Sequence, residues 1–386
     1  MDCRIGEARM DFTLNDEQQL LKDSVDRFIE KEYDFESRRR LVAGTGLSEA
    51  HWALFAEMGW LMAGLPEDHG GIGGGIMENA IICEAFGKGL VLEPFLPIAV
   101  LAAQVLIAAN GRHAHELLPK LAAGDARPVL AHAEADAFGE LAWVETRAER
   151  RGSCWAINGR KMLVAGAPFA SHFLVSARVS GLPGDEEGLC LFVLSPAAQG
   201  IKRTDVRLSD NSWASELVLT DVTVEADALM GREGEAFPIL AQAYAHATIG
   251  LAAEAVGAME RLLWITRDYL NTRVQFGKPI GNFQALQHRM ADMLIEVEMS
   301  RSQLFRAMAH LSAVSSDRDQ AISSLKVQIG RSAKFVGGNA IQLHGGIGIT
   351  EEYSVGHYFK RLTMIDNAFG TVGVHLDRMA KLKRAA

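Results

Sequence analysis

Q-L-H-G-G-I-G-I-T-E-E-Y, Gln342 to Tyr353, runs through a helix-friendly stretch into I-D-N-A-F-G-T, Ile365 to Thr371, and the rest of the chain is read around it. Gly345, Gly346 and Gly348 interrupt an otherwise helical run. Glycines so placed let backbone N–H groups approach a bulky anion at a helix end, which points to a phosphate-bearing cofactor. A second motif lies upstream, R-V-Q-F-G-K-P-I-G-N-F-Q, Arg273 to Gln284. Arg273 carries a planar guanidinium able to bond an oxyanion bidentately, and Phe276 an aromatic ring. The alternative for Arg273 is a surface residue in a capped turn between two helices.

The chain has 386 residues, of which 48% are hydrophobic and 23% charged, so two or three packed domains are expected and disorder is not. A net charge of −9 argues against a nucleic-acid partner. Arg38 to Arg40 and Lys381 to Arg384 are short enough to be solvated helix faces. Cys3, Cys83, Cys154 and Cys190 have no metal-binding spacing, which suggests free thiols, no metal site and a reducing compartment. Neither a leader nor a membrane span is expected, which makes the cytoplasm the expected location.

The first third reads as helices. Asn15 is a candidate N-cap, and Leu20, Leu21, Val25, Phe28 and Ile29 form a stripe behind it. Trp52, Leu54, Phe55 and Met58 continue the pattern. L-P-E-D-H-G-G-I-G-G-G, Leu65 to Gly75, is a turn rather than a phosphate loop, because no strand precedes it and the G-K-[ST] spacing is absent. Helices follow from about Ile76 to Gly87 and Pro97 to Asn110. Between Val129 and Val224, short runs such as W-A-I-N-G and L-C-L-F-V-L are bounded by turn residues, the texture of a β domain. Beyond Phe237 the helical period returns on Leu251, Ala255, Ala258, Leu262 and Ile265, on Met290, Leu294, Val297 and Leu304, and on Leu325, Ile329, Phe335 and Val336. The expected organisation is α+β and multidomain: an N-terminal helical domain over 1–128, a β barrel or sandwich over 129–236, and a four-helix bundle over 237–386.

With these motifs and this order of domains, the sequence resembles the acyl-CoA dehydrogenase family along nearly its whole length. The family carries Q-x-x-G-G-x-G, R-x-x-F-G-x-x-I-x-x-x-Q, an early P-E-x-x-G-G-x-G turn, and a final Y-E-G-T that ends in its catalytic glutamate. The resemblance implies FAD as cofactor, bound by Arg273, Phe276, Gln284, Gln342, Gly345, Gly346 and Thr371, with Arg273 and Gln284 at its ADP part largely across a subunit boundary. It also implies an acyl-CoA substrate and an electron-transfer flavoprotein or similar acceptor.

The departures are specific. The glutamate's position falls on Phe369, and an alternative base position used by some relatives falls on Ala247. A tryptophan that shields the flavin ring corresponds to Leu163, and a hydroxyl that contacts it corresponds to Ala165. The T-E-P-G-x-G-S-D turn becomes Ala133 to Glu140. An aspartate and an arginine directed at CoA correspond to Ala245 and Thr248. Asp366, Glu134 and His246 are the remaining candidates for a base, with Asp366 foremost because it precedes Phe369 by one helical turn.

Three readings stay open at this level. The chain is one subunit of a hetero-oligomer whose homologous partner supplies base, ring contacts and thioester site, as S-V-D-R-F-I-E-K-E-Y-D-F-E suggests by its likeness to the small subunit of pimeloyl-CoA-type dehydrogenases. Or it is a complete homo-oligomeric enzyme with a displaced base, or a scaffold that binds no flavin. The acyl group, from fatty-acid or steroid degradation, is not specified by the sequence.

Overall fold

The computed structural model describes residues 13–385; Cys3 and the N-terminal flank lie outside it. Three helices open the chain: α1 (Asp16–Glu32), α2 (Phe35–Ala43) and α3 (Glu49–Glu57). Helix α1 begins at Asn15, whose side chain accepts from the Gln18 N–H while Gln18 accepts from the Asn15 N–H, a capping box. Val25 and Phe28 are buried, but Leu20 is 69% exposed. Five residues before Val25 is about 140° away around a helix, so Leu20 falls off the stripe on which the sequence placed it.

Arg38 is the larger correction. It is buried, not solvated. Its guanidinium donates to the Leu90 and Asp210 carbonyls and meets His357 Nδ1, joining the first helices to the sheet and to the last helices.

The glycine-rich stretch after Leu65 is a turn, and packing explains its composition. A Cβ on Gly71 would stand 2.0 Å from the Leu65 carbonyl oxygen, and one on Gly74 2.1 Å from that of Ala63. Helix α4 (Ile76–Gly89) follows. The expected helix from Pro97 begins as a π-wound segment, Leu96–Ala102, and continues as α5 (Ala103–Ala109). Helix α6 (Arg112–Ala122), which the sequence reading left out, has Pro119 inside it and buries Leu117, Leu118 and Leu121.

The middle of the chain is one eight-stranded sheet: β1 (Pro128–Ala131), β2 (Arg147–Arg151), β3 (Cys154–Ala165), β4 (His172–Arg178), β5 (Leu189–Leu194), β6 (Ile201–Arg207), β7 (Trp213–Glu225) and β8 (Leu229–Met230). Its order is β6-β7-β3-β2-β4-β5-β8, with β1 parallel to β4. Strand β3 pairs with β7 through two register shifts, one of which spans Met162 and Leu163.

Helix α7 (Ala236–Thr272) leads into a hairpin, β9 (Val274–Gln275) and β10 (Lys278–Pro279). Then come α8 (Gln284–Ala309), α9 (Ser315–His344), α10 (Ser354–Asn367) and α11 (Val372–Ala385). The N-terminal helices reach this bundle through a close crossing of α4 and α7. A Cβ on Gly87 would lie 1.9 Å from the Glu254 carbonyl oxygen, and one on Gly257 1.9 Å from that of Glu84. Leu294 and Phe335, expected on inward faces, are exposed instead, while Met293 and Val297 carry the packing of α8. Among the described residues, no helix is long and apolar enough to cross a membrane.

Candidate active site

A cavity of about 1040 Å³ lies where the three parts meet. Helix α7 presents Ala241, Tyr244, Ala245, Thr248, Leu251 and Glu254 to it, a spacing of three and four residues that makes one face of the helix. The sheet contributes His132 to Ala135 and Met162 to Gly166; α10 and its following loop contribute Arg361, Met364 and Asn367 to Thr371. Phe138, Leu163 and Phe369, all cavity-lining, have left-handed backbone (φ 46°, 49° and 58°). Such conformations cost non-glycine residues energy and persist where the surroundings over-determine them.

Phe369 shows how that is done. Lys326, fully buried, donates to the carbonyls of Ile365, Asp366 and Gly370, and His375 Nε2 meets the Phe369 carbonyl. Burial pushes the Lys326 ammonium down to about 8 and the His375 imidazole down to about 4. The Phe369 ring packs edge-on against Tyr244, centroids 5.2 Å apart, and Tyr244 meets the ring of His132 at 5.5 Å. Tyr244 and His132 were absent from the sequence reading. Stepping back one turn from Thr248 would have found the tyrosine; nothing local would have found the histidine.

None of the expected bases is in place. Asp366 is turned toward Gly330 of α9: its Oδ1 stands 2.3 Å from a Cβ built there, and Asp366 is not among the cavity-lining residues. Its carboxylate sits beside Lys326 instead, because α10 ends at Asn367 and the left-handed turn at Phe369 breaks the helical spacing that would have put the two on one face. Glu134 does line the cavity but is spent on Lys161 (2.7 Å), the Thr146 hydroxyl (2.6 Å) and two backbone N–H groups. These bonds hold it below the ordinary carboxylate range against the opposing effect of burial. His246 is pushed down to about 4 by burial and lies outside the cavity, as does Ala247. His132, pushed down to about 3 by burial and by Lys161, is too weak a base to take a proton at neutral pH. Glu254 is occupied by Arg361 and sits ten residues along α7 from Tyr244, ~15 Å.

The cofactor motifs occupy a different end of the molecule. Arg273 follows α7, and its guanidinium pairs with no carboxylate among the described residues. Phe276 is 90% exposed at the hairpin tip, and Gln284 is exposed at the start of α8. Gln342 ends α9 on the surface, and a Cβ at Gly345 or Gly346 would meet nothing within 4 Å. Tyr269 joins the two motifs by stacking on His344 at 4.4 Å and donating to its carbonyl. Thr371 stands at the other end of α10, ~21 Å away at helical rise.

Models of the acyl-CoA dehydrogenase family match the chain in all three parts: the N-terminal domain over 15–125, the middle domain over 130–222 and the C-terminal domain over 236–382. The chain belongs to the acyl-CoA dehydrogenase family. It is 30% identical to acyl-CoA dehydrogenase FadE12 of Mycobacterium tuberculosis over 89% of this chain and 90% of that one. It is 28% identical to acryloyl-CoA reductase (NADH) of Anaerotignum propionicum over 95% and 94%. Among solved structures, a chain of the ChsE4-ChsE5 complex from Mycobacterium tuberculosis is similar at 25% identity and a TM-score of 0.88, covering 98% of this chain and all of that one.

The family's chemistry is FAD-dependent dehydrogenation of an acyl-CoA, and FAD is the cofactor. The residues present fit its ADP part, through the exposed Arg273 and the open glycines Gly345 and Gly346, whereas in the cavity Leu163 and Ala165 line the wall without a side-chain hydrogen bond to offer the ring. Bound there, the flavin supplies the hydride acceptor. The protein's own residues supply orientation and water exclusion, and Phe369 itself offers the cavity an aromatic ring.

Proposed function

We propose that this chain is the base-lacking subunit of a hetero-oligomeric acyl-CoA dehydrogenase. Its Arg273, Phe276, Gln284, Gln342, Gly345 and Gly346 grip the ADP part of a flavin whose ring lies in the cavity of a homologous partner. That partner carries the base and the thioester site. The observation that supports the reading most directly is the aromatic contact of Phe369 with Tyr244 where the family has its glutamate, with the carboxylates of Glu134, Asp210 and Glu254 already bonded to protein. The similar chain in the ChsE4-ChsE5 complex belongs to an assembly of two different proteins.

A complete enzyme with a displaced base is disfavoured by the direction of Asp366. Free thiols at Cys83, Cys154 and Cys190 suit the cytoplasm, and an electron-transfer flavoprotein is the proposed acceptor. The test is purification with and without the homologous subunit, followed by absorbance near 450 nm and assay of enoyl-CoA formation. Alone, the chain is expected to hold little flavin and turn over no acyl-CoA; together, the pair is expected to be yellow and active. A yellow, active homo-oligomer would end this reading.

A further inference from the structure

The cavity does not end in hydrocarbon. Helices α7 and α10 pass it in opposite directions, so that Tyr244 and Phe369 meet at one end and Glu254 and Arg361 at the other. From Phe369 back to Arg361 is ~12 Å at helical rise. At this inner end Glu254 accepts from Arg361 Nε (2.5 Å) and Nη2 (2.7 Å), and Asp210 accepts from Nη1 (2.8 Å). Arg38 lies alongside, bonded to the Asp210 carbonyl. All four residues line the cavity, and their two positive and two negative charges leave its floor neutral.

Arg361 is not used up by these bonds. A guanidinium carries five N–H groups, three of which are committed here, and 23% of the side chain remains exposed. An alkyl end pushed against this floor would strip water from the spare N–H groups and give nothing in return. An acceptor oxygen would bond to them. A carboxylate would instead bring a third negative charge to a floor that already balances two.

We propose that the inner end of the cavity is a subsite for an acyl group bearing a neutral oxygen, keto or hydroxyl, at its far end, and that Arg361 selects it. The inference rests on the family reading of the cavity as an acyl site but not on whether this chain turns its ligand over. A binding assay therefore separates its fate from that of the base-lacking reading.

The experiment is calorimetric titration of the full chain without the partner, whose own thioester site would add to the signal, using a ladder from hexanoyl to dodecanoyl. Each length is offered with a plain, ω-hydroxy, ω-oxo or ω-carboxy end, as the CoA thioester and as the free acid. At the best-fitting length the ω-oxo or ω-hydroxy ligand is expected to bind about ten-fold tighter than the plain one, with no such gain for ω-carboxy. Whether the gain appears on thioesters or on free acids identifies the source of the ligand. Arg361→Lys keeps the charge opposite Glu254 but loses the planar fork, and is expected to shrink several-fold the ratio between oxygenated and plain ends. Equal affinity for plain and oxygenated ends at every length, or no binding at all, overturns the proposal, as does a gain undiminished in Arg361→Lys. Should that variant not fold, the wild-type ladder decides alone.

Discussion

Replacing Lys326 by methionine tests whether the loop that carries Phe369 is held from behind. The ammonium makes three hydrogen bonds, at 3.0 Å to the Ile365 carbonyl and 2.9 Å each to those of Asp366 and Gly370. Charge-assisted bonds contribute about 1.5–3 kcal/mol apiece, roughly 4.5–9 in all. Against this stands the cost of burying the charge, which the fall from 10.5 to about 8 puts near 3 kcal/mol. The bonds win: Lys326→Met is expected to lose about 2–5 kcal/mol in urea unfolding at pH 7, and to open the backbone around residues 366–371 to hydrogen exchange. The sign with pH follows from the direction of the shift. A lysine whose folded pKa is depressed contributes stability that is complete above 10.5 and lost as pH falls through about 8, so the wild type should gain stability across that window and the methionine variant should lack that gain. A variant as stable as the wild type, with unchanged exchange at the loop, would refute the clamp.

Arg273→Ala in the co-purified complex removes a charge-assisted contact to pyrophosphate and is expected to weaken flavin binding ten-fold or more, read by flavin retention on dilution; unchanged retention with the oligomer intact would make Arg273 an ordinary turn residue. Phe369→Glu in the isolated chain is expected to create no activity, because the new carboxylate would face Tyr244 in an apolar wall and the flavin ring would still lack its contacts; appreciable flavin bleaching by any acyl-CoA would show the site to be intact but for its base. His375 and His246, both pushed down to about 4 by burial, contribute stability that is complete above about 6.5 and lost as pH falls through 4, up to about 3 kcal/mol each. The urea midpoint should therefore drop between pH 6.5 and 5, and His375→Gln should flatten that drop.

The local signals were legible and the distant pairings were not. Asn15 capped its helix as the sequence said, and the order of helices, strands and helices followed from periodicity alone. Arg38 looked like a surface charge because its partners, Asp210 and His357, are 172 and 319 residues away. Gly87 and Gly257 gave no sign of being chosen for a helix crossing, since each is excluded from larger side chains only by the other helix's backbone. Asp366 was favoured as a base from spacing along one helix, and spacing does not say which neighbour that face will meet. Arg361 carries no local signal either, because its partner Glu254 lies 107 residues upstream on another helix.

The loop around Phe369 carries the physical argument that ties these parts together. A phenylalanine in left-handed backbone is a local cost that relaxes unless neighbours forbid it. Here Lys326 and His375 forbid it by holding the carbonyls on both sides, and each gives up part of its own charged state to burial in doing so. A chain that had lost all use for this cavity would gain by letting the loop relax and the space collapse, since filling it would recover packing and release two buried bases. Instead the cavity stays open from Phe369 to the ion pair of Arg361. Holding the loop thus keeps a shaped cavity, with the Phe369–Tyr244 aromatic contact at one end and the ion pairs of Arg361 at the other.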